Sequence, residues 1–404
     1  MRILVVQESD WLTKGPHQQH HLMDRLSLRS HEIRVIDFEI AWKAQRNYNL
    51  FSMRKTFTGV SKVHEEAAVT VIRPSIIKIP FLDMGSLIFS HGKEILHQIA
   101  EFKPDIIVGF GILNNYLAMQ LAKRLNIPFV YYLLDELDTL VPYKSFQFLA
   151  KALMCTILRD ADSVVVINEQ LRDTVIRLGA DPRRTYTVRA GIDSHNFNPN
   201  GDRATIRKQY GIKMTDLVLF FMGTVFDFSG IKEVALDLAK IKKQNPNIKL
   251  LIAGQIRTPE LQKELDEIRE TFDLHDHFIF AGRQPYYKIP LFLGAADICL
   301  LPAYVNEVMC NVVPIKMYEY LASGKPVIST KLPGIIREFG YYSGVIYVDR
   351  PNSVIKKVVE LLSKRENLAK IGFRASSIAG RYSWNKITEE FEKILEKTIE
   401  NAFN

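Results

Sequence analysis

Short apolar runs alternate with amphipathic stretches almost from end to end of this chain, and that rhythm restricts it to a parallel α/β architecture. In the first half, Ile3–Gln7, Glu32–Asp37, Asp105–Gly109, Phe129–Tyr132, Ser163–Ile167 and Thr185–Val188 read as buried strands. Helices are predicted between them, including His17–Ser27, Asn114–Leu125 and Glu169–Leu178. Around His195–Gly211 the pattern lapses into Asn, Pro, Gly and charged residues, as a linker does. It then restarts with strands at Leu217–Met222, Lys249–Ala253, His277–Phe280, Ile298–Leu301, Pro326–Ser329 and Val345–Val348. Helices at Ile231–Gln244, Pro259–Thr271, Tyr286–Ala295, Pro314–Ser323 and Ser353–Leu362 fill the gaps. Two doubly wound, Rossmann-like domains follow, 1–195 and 213–380, joined by 196–212 and facing each other across a cleft. Ligands are expected beyond the carboxyl ends of the strands. Residues 381–404 form a last helix, with Ser383 as its N-cap and Trp384 as packing weight. The segment Trp42–His64 is polar, basic and aromatic without clean periodicity and reads as a loop or insertion.

The length of 404 residues fits two or three domains at ~150 residues each. Lys+Arg 53 against Asp+Glu 45 gives a net charge of +8, which does not by itself indicate nucleic-acid binding. It fits an anionic substrate and an anionic membrane surface equally well. Cys155, Cys299 and Cys310 lack CxxC spacing, against a disulfide framework or a zinc knuckle, so a reducing cytosol is the default compartment. Met1-Arg-Ile-Leu-Val-Val-Gln lacks the apolar length of a signal peptide, and no run approaches the ~20 apolar residues of a spanning helix. A cytoplasmic protein, soluble or peripheral at the membrane, is expected.

The stretch Pro314-Ile315-Lys316-Met317-Tyr318-Glu319 up to Gly324-Lys325-Pro326 carries the most chemistry. Pro314 suits a first helical position, Gly324 stops the helix, and Pro326-Val-Ile begins a buried strand. Lys316 and Glu319 share one helical face near the positive end. A cation and a helix N-terminus suit phosphates, and a carboxylate accepts sugar hydroxyls. The plain alternative is a helix cap with two solvated charges.

Further candidates sit at strand ends. Gly223-Thr224-Val225-Phe226-Asp227-Phe228-Ser229-Gly230 is a strand, a glycine turn and a helix start, whose backbone N–H groups can cradle a diphosphate. Thr13-Lys14-Gly15-Pro16 is the matching junction of the first half. His17, His20 and His21 have helical spacing that could bind a metal, but no carboxylate or cysteine completes it in sequence, so polar cleft contacts or helix surface are favoured. Asp135 and Asp138 follow a buried strand and place carboxylates at a cleft edge; paired hydrolase acids, a metal motif and simple helix capping are the alternatives. Arg283 and Gln284 follow another strand end, where a base or phosphate can rest, or where the loop is merely solvated.

With these pieces placed, the chain resembles the family 4 glycosyltransferases, which have the two-domain GT-B fold. The likeness runs from Gly15 to Trp384 and is carried by Pro314-x-Lys316-x-x-Glu319-Tyr320-x-x-x-Gly324-Lys325-Pro326-Val327-Ile328. Gly191-Ile192-Asp193-x-x-x-Phe197-x-Pro199, Phe280-Ala-Gly282 and Ala295-Ala-Asp297-Ile-Cys-Leu-Leu-Pro302 support it. The resemblance implies that Glu319 binds the donor ribose, that residues after Gly282 meet the base, and that the last helix crosses back onto the first domain. The chain departs from the family pattern in four places: Asn311 stands where a glutamate contacts the donor sugar, Thr224 and Ser229 stand where Arg and Lys hold phosphates, and Leu134-Asp135 replaces a His often found after a first-half strand. Lys316, with Arg283 in reserve, is the expected compensation.

The reading is a retaining, metal-independent transferase moving a hexose from a nucleoside-diphosphate sugar to a hydroxyl of a growing glycan, with a polyprenyl- or otherwise lipid-linked acceptor. No cofactor is expected beyond the donor substrate. The donor-binding set is Gly15, Gly223, Thr224, Ser229, Gly230, Arg283, Gln284, Pro314, Ile315, Lys316 and Glu319. Asp135 and Asn311 are the catalytic candidates, with a donor phosphate oxygen as the alternative base, and His17 and Asp138 lie on the acceptor side. A nucleotide-sugar epimerase of the same fold and an inactive scaffold subunit are the rivals. Trp42, Lys43, Arg46, Phe51, Arg54, Lys55 and Phe57 suggest contact with a membrane surface, with an acceptor-binding loop as the alternative.

Overall fold

The computed structural model describes residues 1–39, 49–79, 82–134, 144–193, 197, 202–310, 312–363, 366–379 and 382–403. The chain divides into two compact units, Met1–Ala190 with Trp384–Asn404, and Gly191–Ser383.

The first unit runs β1 (Arg2–Gln7), α1 (Gln18–Leu28), β2 (Glu32–Ile36), β3 (Phe51–Ser52), β4 (Lys55–Val60), β5 (Val69–Arg73) and β6 (Ile76–Ile77). It continues with α2 (Leu82–Phe102), β7 (Ile106–Phe110), α3 (Leu113–Arg124), β8 (Phe129–Leu133), α4 (Lys144–Asp160), β9 (Ser163–Val166), α5 (Glu169–Arg177) and β10 (Thr185–Thr187). The second unit runs α6 (Ala204–Gln209), β11 (Leu217–Met222), α7 (Ile231–Ile241), β12 (Ile248–Ala253), α8 (Pro259–Thr271), β13 (Phe278–Phe280) and α9 (Ile289–Ala295). Then come β14 (Ile298–Leu301), α10 (Ile315–Ala322), β15 (Val327–Thr330), α11 (Pro333–Phe339), β16 (Val345–Val348), α12 (Val354–Leu362) and α13 (Glu366–Ala379). The last helix, α14 (Trp384–Phe403), belongs to the first unit.

An eight-stranded sheet in the order β10-β9-β8-β7-β1-β2-β5-β4 forms the first unit, parallel except where β4 runs antiparallel to β5. Both β4 and β3 fall inside the segment read as a loop. The reason is physical: β4 is an edge strand whose Lys55, Thr56, Thr58 and Gly59 are exposed, so it carries no alternating apolar signal. Ile3 and Val5 of β1 pack with Leu22 and Met23 of α1 and with Trp384, Phe391 and Leu395 of α14. The His21 ring stacks on Trp384 with centroids 4.2 Å apart, and the Ser163 and Thr398 hydroxyls meet at 2.8 Å.

In the second unit a fully parallel sheet has the order β13-β12-β11-β14-β15-β16. Its direction of winding reverses between β11 and β14, where crossover loops part and a crevice opens at the strands' carboxyl ends. The segment expected to be a linker contains α6. Its Arg207 is buried, with Nε donating to the Ala295 carbonyl at 3.0 Å and Nη2 to Asp297 Oδ2 at 2.7 Å. The polar character that mimics a linker is thus a satisfied buried network. Among the described residues no helix is long and apolar enough to cross a membrane.

Candidate functional site

At the carboxyl end of the central strand β11 the chain turns at Gly223 with φ +100°, a conformation that costs glycine little. The Gly223 N–H donates to the Ala253 carbonyl at 2.9 Å, and the Gly254 N–H to the Gly282 carbonyl at 2.8 Å. A Cβ on Gly254 would collide with the Gly223 carbonyl, so the ends of β11 and β12 approach this closely only with glycine at 254.

Helix α10 docks against this turn. The Tyr320 hydroxyl accepts the buried N–H of Met222 at 2.9 Å, pinning the helix to the strand end. One turn earlier, Lys316 places its Nζ 4.3 Å from the centroid of the Phe221 ring, and 3.0 Å from where a Gly223 Cβ would stand. Among the described residues this ammonium has no hydrogen-bond or ion-pair partner. Burial lowers its pKa from 10.5 to about 8, against the pull of Glu319. Glu319 is only 6% exposed. Burial raises its pKa from 4.5 to about 7, opposed by a hydrogen bond from the Tyr286 hydroxyl and by the charge of Lys316. A desolvated cation and a desolvated carboxylate on one helical face can take an anion and a pair of hydroxyls.

The other predicted residues distribute as follows. Pro314 is the N-cap of α10 and Ile315 its first helical residue, both half-buried. Thr224 is half-buried beside Gly223. The N–H groups of Gly223, Val225, Phe226 and Ser229 are committed to the Ala253 carbonyl, the Gln255 carbonyl, Ser229 Oγ and the Phe226 carbonyl. These four donors, expected to cradle a diphosphate, are thus spent within the protein. Ser229 is buried, its Oγ accepting from Phe226 at 2.9 Å, and Gly230 lies where a Cβ would strike the Pro302 carbonyl. Arg283 is exposed, and the Gln284 amide donates to the Ala281 carbonyl, closing the loop that presents Tyr286.

In the first unit, Gly15 has φ +88°, and a Cβ there would lie 2.7 Å from His20 Cε1. His17 is exposed at the N-cap of α1, its backbone N–H donating to His20 Nδ1 at 3.0 Å. His20 Nε2 then donates to the Trp11 carbonyl at 3.3 Å, and burial drops this imidazole to about 3. His21 faces Trp384 instead, held neutral by burial and Arg25. The three rings do separate jobs, and among the described residues no group of three His, Cys, Asp or Glu could hold a metal ion. Asp135, Asp138, Asn311, Trp42, Lys43 and Arg46 lie outside the described residues.

Sequence reasoning missed Phe221, Tyr286 and the anchoring role of Tyr320. It also missed the Asp10–Arg73–Asp37 cluster, in which Arg73 Nη2 meets Asp10 Oδ1 at 2.7 Å and Asp37 Oδ2 at 2.6 Å. The available signal was that Asp10 and Asp37 each follow closely on a buried strand.

Known proteins share this architecture. The profile of Glycosyl transferases group 1 matches residues 202–377, and that of Glycosyltransferase Family 4 matches residues 19–196. The D-inositol 3-phosphate glycosyltransferase of Segniliparus rotundus is 27% identical over 209 residues, covering 51% of this chain and 45% of that protein. The putative teichuronic acid biosynthesis glycosyltransferase TuaH of Bacillus subtilis is 26% identical, covering 59% of this chain and 57% of its own. The aligned stretches thus span about half the length of these curated relatives. HepE of Anabaena, solved in complex with UDP and glucose, superposes with a TM-score of 0.74 at 18% identity, covering 98% of this chain and 100% of that one. With two parallel α/β units, both profiles and that superposition in hand, the chain has the GT-B fold and belongs to the family 4 glycosyltransferases.

Proposed function

We propose that this chain transfers a hexose from a nucleoside-diphosphate sugar, with retained configuration, to a hydroxyl of a glycan acceptor. The observation that carries the reading is the unpaired Lys316 ammonium over Phe221, one helical turn from Glu319. A diphosphate supplies the missing counter-charge, and ribose hydroxyls donate to Glu319. HepE, whose fold this chain shares, is solved with UDP, which favours a uridine nucleotide.

In the proposed step the bond from the anomeric carbon to the β-phosphate oxygen breaks, and its electron pair leaves with the diphosphate. Lys316 and the N-terminus of α10 stabilise that charge. The acceptor oxygen bonds to the anomeric carbon on the same face, and its proton passes to a phosphate oxygen or to Asp135. Lys316 and the helix N-terminus are the positive groups assigned to the diphosphate, so no metal ion is assigned a role. Asn311 contacts the sugar, and His17 and Asp138 serve the acceptor.

Calorimetric titration with UDP tests the site. Lys316→Met and Glu319→Ala should each weaken binding about tenfold or more, as expected for losing a charge-assisted bond. Unchanged affinity in both overturns the assignment. A non-catalytic scaffold draws on Ser229, whose hydroxyl is spent on Phe226 where the family has a phosphate-binding lysine; it predicts UDP binding without turnover.

A lipid-linked acceptor and a peripheral, cytoplasmic location complete the reading. Phe51 and Met53 are 64% and 76% exposed beside Lys55, while Arg54 is paired to Glu94 at 2.7 Å. Sedimentation with anionic vesicles should lose salt-sensitive binding in a Phe51→Asp, Met53→Asp variant; absence of binding by the wild type sinks the membrane contact.

A further inference from the structure

Two loops flank the crevice where the sheet of the second unit reverses its winding, residues 223–230 after β11 and residues 302–310 after β14. The Tyr304 N–H donates to the Phe228 carbonyl at 2.8 Å, joining them, and the Tyr304 hydroxyl bonds to Glu233 of α7. Asn306 holds the second loop in a turn: its Oδ1 accepts the Met309 N–H at 2.8 Å and its carbonyl the Cys310 N–H at 2.9 Å. The Cys310 carbonyl in turn accepts the Gly334 N–H at 2.8 Å. These bonds brace both loops from within the protein.

What they present is apolar. The Phe226 and Phe228 rings stack with centroids 4.9 Å apart and are half-buried. Met309 turns inward at 7% exposure, while Val305 and Val308 stand 53% and 41% exposed. Neither loop contains a cation, and their charged side chains are Asp227 and Glu307, both exposed. Two exposed valines on a braced loop leave apolar area in water that an apolar group of a ligand would cover. The loops also lie within reach of the diphosphate assigned to Lys316. Its Nζ is 3.0 Å from where a Gly223 Cβ would stand, and Phe226 follows three residues on, at most about 11 Å along the chain.

We propose that the donor's sugar carries a methyl group, as in a 6-deoxyhexose or an N-acetylhexosamine, and that Val305 and Val308 receive it. The inference rests on the donor-site reading and specifies the sugar of that site. On that reading the sugar is bonded to the phosphate beside Lys316 and so lies against these loops. A hydroxyl pressed onto the valines loses water and gains no partner, whereas a methyl group gains by leaving water. Asp227 and Glu307 repel a uronate at the same place.

Calorimetric titration of the full chain with UDP, UDP-glucose, UDP-6-deoxyglucose and UDP-N-acetylglucosamine tests it. All share one nucleotide, and the two methyl-bearing donors separate a ring methyl from an acetyl methyl. At least one of these two should bind about fivefold or more tightly than UDP-glucose. A Val305→Thr, Val308→Thr double variant keeps side-chain shape but adds hydroxyls. It should bring that preference to within about twofold while UDP binds as before. UDP-glucose binding as tightly as both methyl-bearing donors overturns the inference and leaves the donor-site reading standing. A preference that survives the double variant overturns it as well. Should neither UDP nor any conjugate bind, the donor-site reading falls and the methyl assignment falls with it.

Discussion

The Tyr320 hydroxyl accepts the Met222 N–H at 2.9 Å, joining the helix that carries Lys316 and Glu319 to the end of the central strand. Because Lys316 is four residues before Tyr320, the same hydrogen bond sets where the ammonium stands over Phe221. Tyr320→Phe leaves a buried N–H unpaired. A loss of about 1–3 kcal/mol in chemical denaturation is expected, with UDP affinity falling several-fold as the helix loosens.

The pair also dictates a pH profile. Glu319 titrates near 7 in the native state against an ordinary 4.5, so the native protein holds the extra proton between those values. Its contribution to stability is full below 4.5 and is lost as pH rises to 7. Lys316 titrates near 8 against 10.5, so there the unfolded chain binds more protons and stability recovers between 8 and 10.5. Urea melts of the ligand-free protein should show a dip between pH 7 and 8 that the Lys316→Met, Glu319→Gln double variant flattens. On the proposed donor site, UDP affinity should peak in that same interval, since there the ribose needs the carboxylate and the diphosphate needs the ammonium.

Arg73→Leu should destabilise the first unit by about 3–5 kcal/mol, because it strands Asp10 and Asp37, which are 1% and 0% exposed. Asp37 also accepts the Trp11 N–H, and Asp10 those of Leu12 and Thr13. Limited proteolysis should therefore cut the loop between β1 and α1 faster in this variant.

Trp384→Ala should cost about 3–5 kcal/mol through loss of a buried ring that stacks on His21 and lies 5.5 Å from the Arg25 guanidinium. Thermal unfolding followed by circular dichroism measures it; a shift under ~2 °C would contradict the packing assigned to α14.

Much of this was legible in the residues themselves. Leu217–Met222 reads as a strand because every position is apolar, as a strand covered on both faces demands, and Lys316 and Glu319 show their common face by spacing alone. What escaped depends on distant partners. Tyr320 and Met222 are 98 residues apart, and nothing near either announces the other. Edge strand β4 hides because its outer residues face water. Arg207 resembles a solvated linker charge until Ala295, Asp297, Lys213 and Asp216 close around it.

The close-packed glycines at 223 and 254 have a further consequence. Gly254 cannot gain even a methyl group without displacing the neighbouring backbone, and at Gly223 a methyl would crowd the lysine and strain the turn. The floor of this recess is therefore fixed. On the donor site proposed above, any drift in nucleotide or sugar preference among descendants of this chain has to be written into the walls, through α10, the Gly282–Tyr286 loop and the loop after β14.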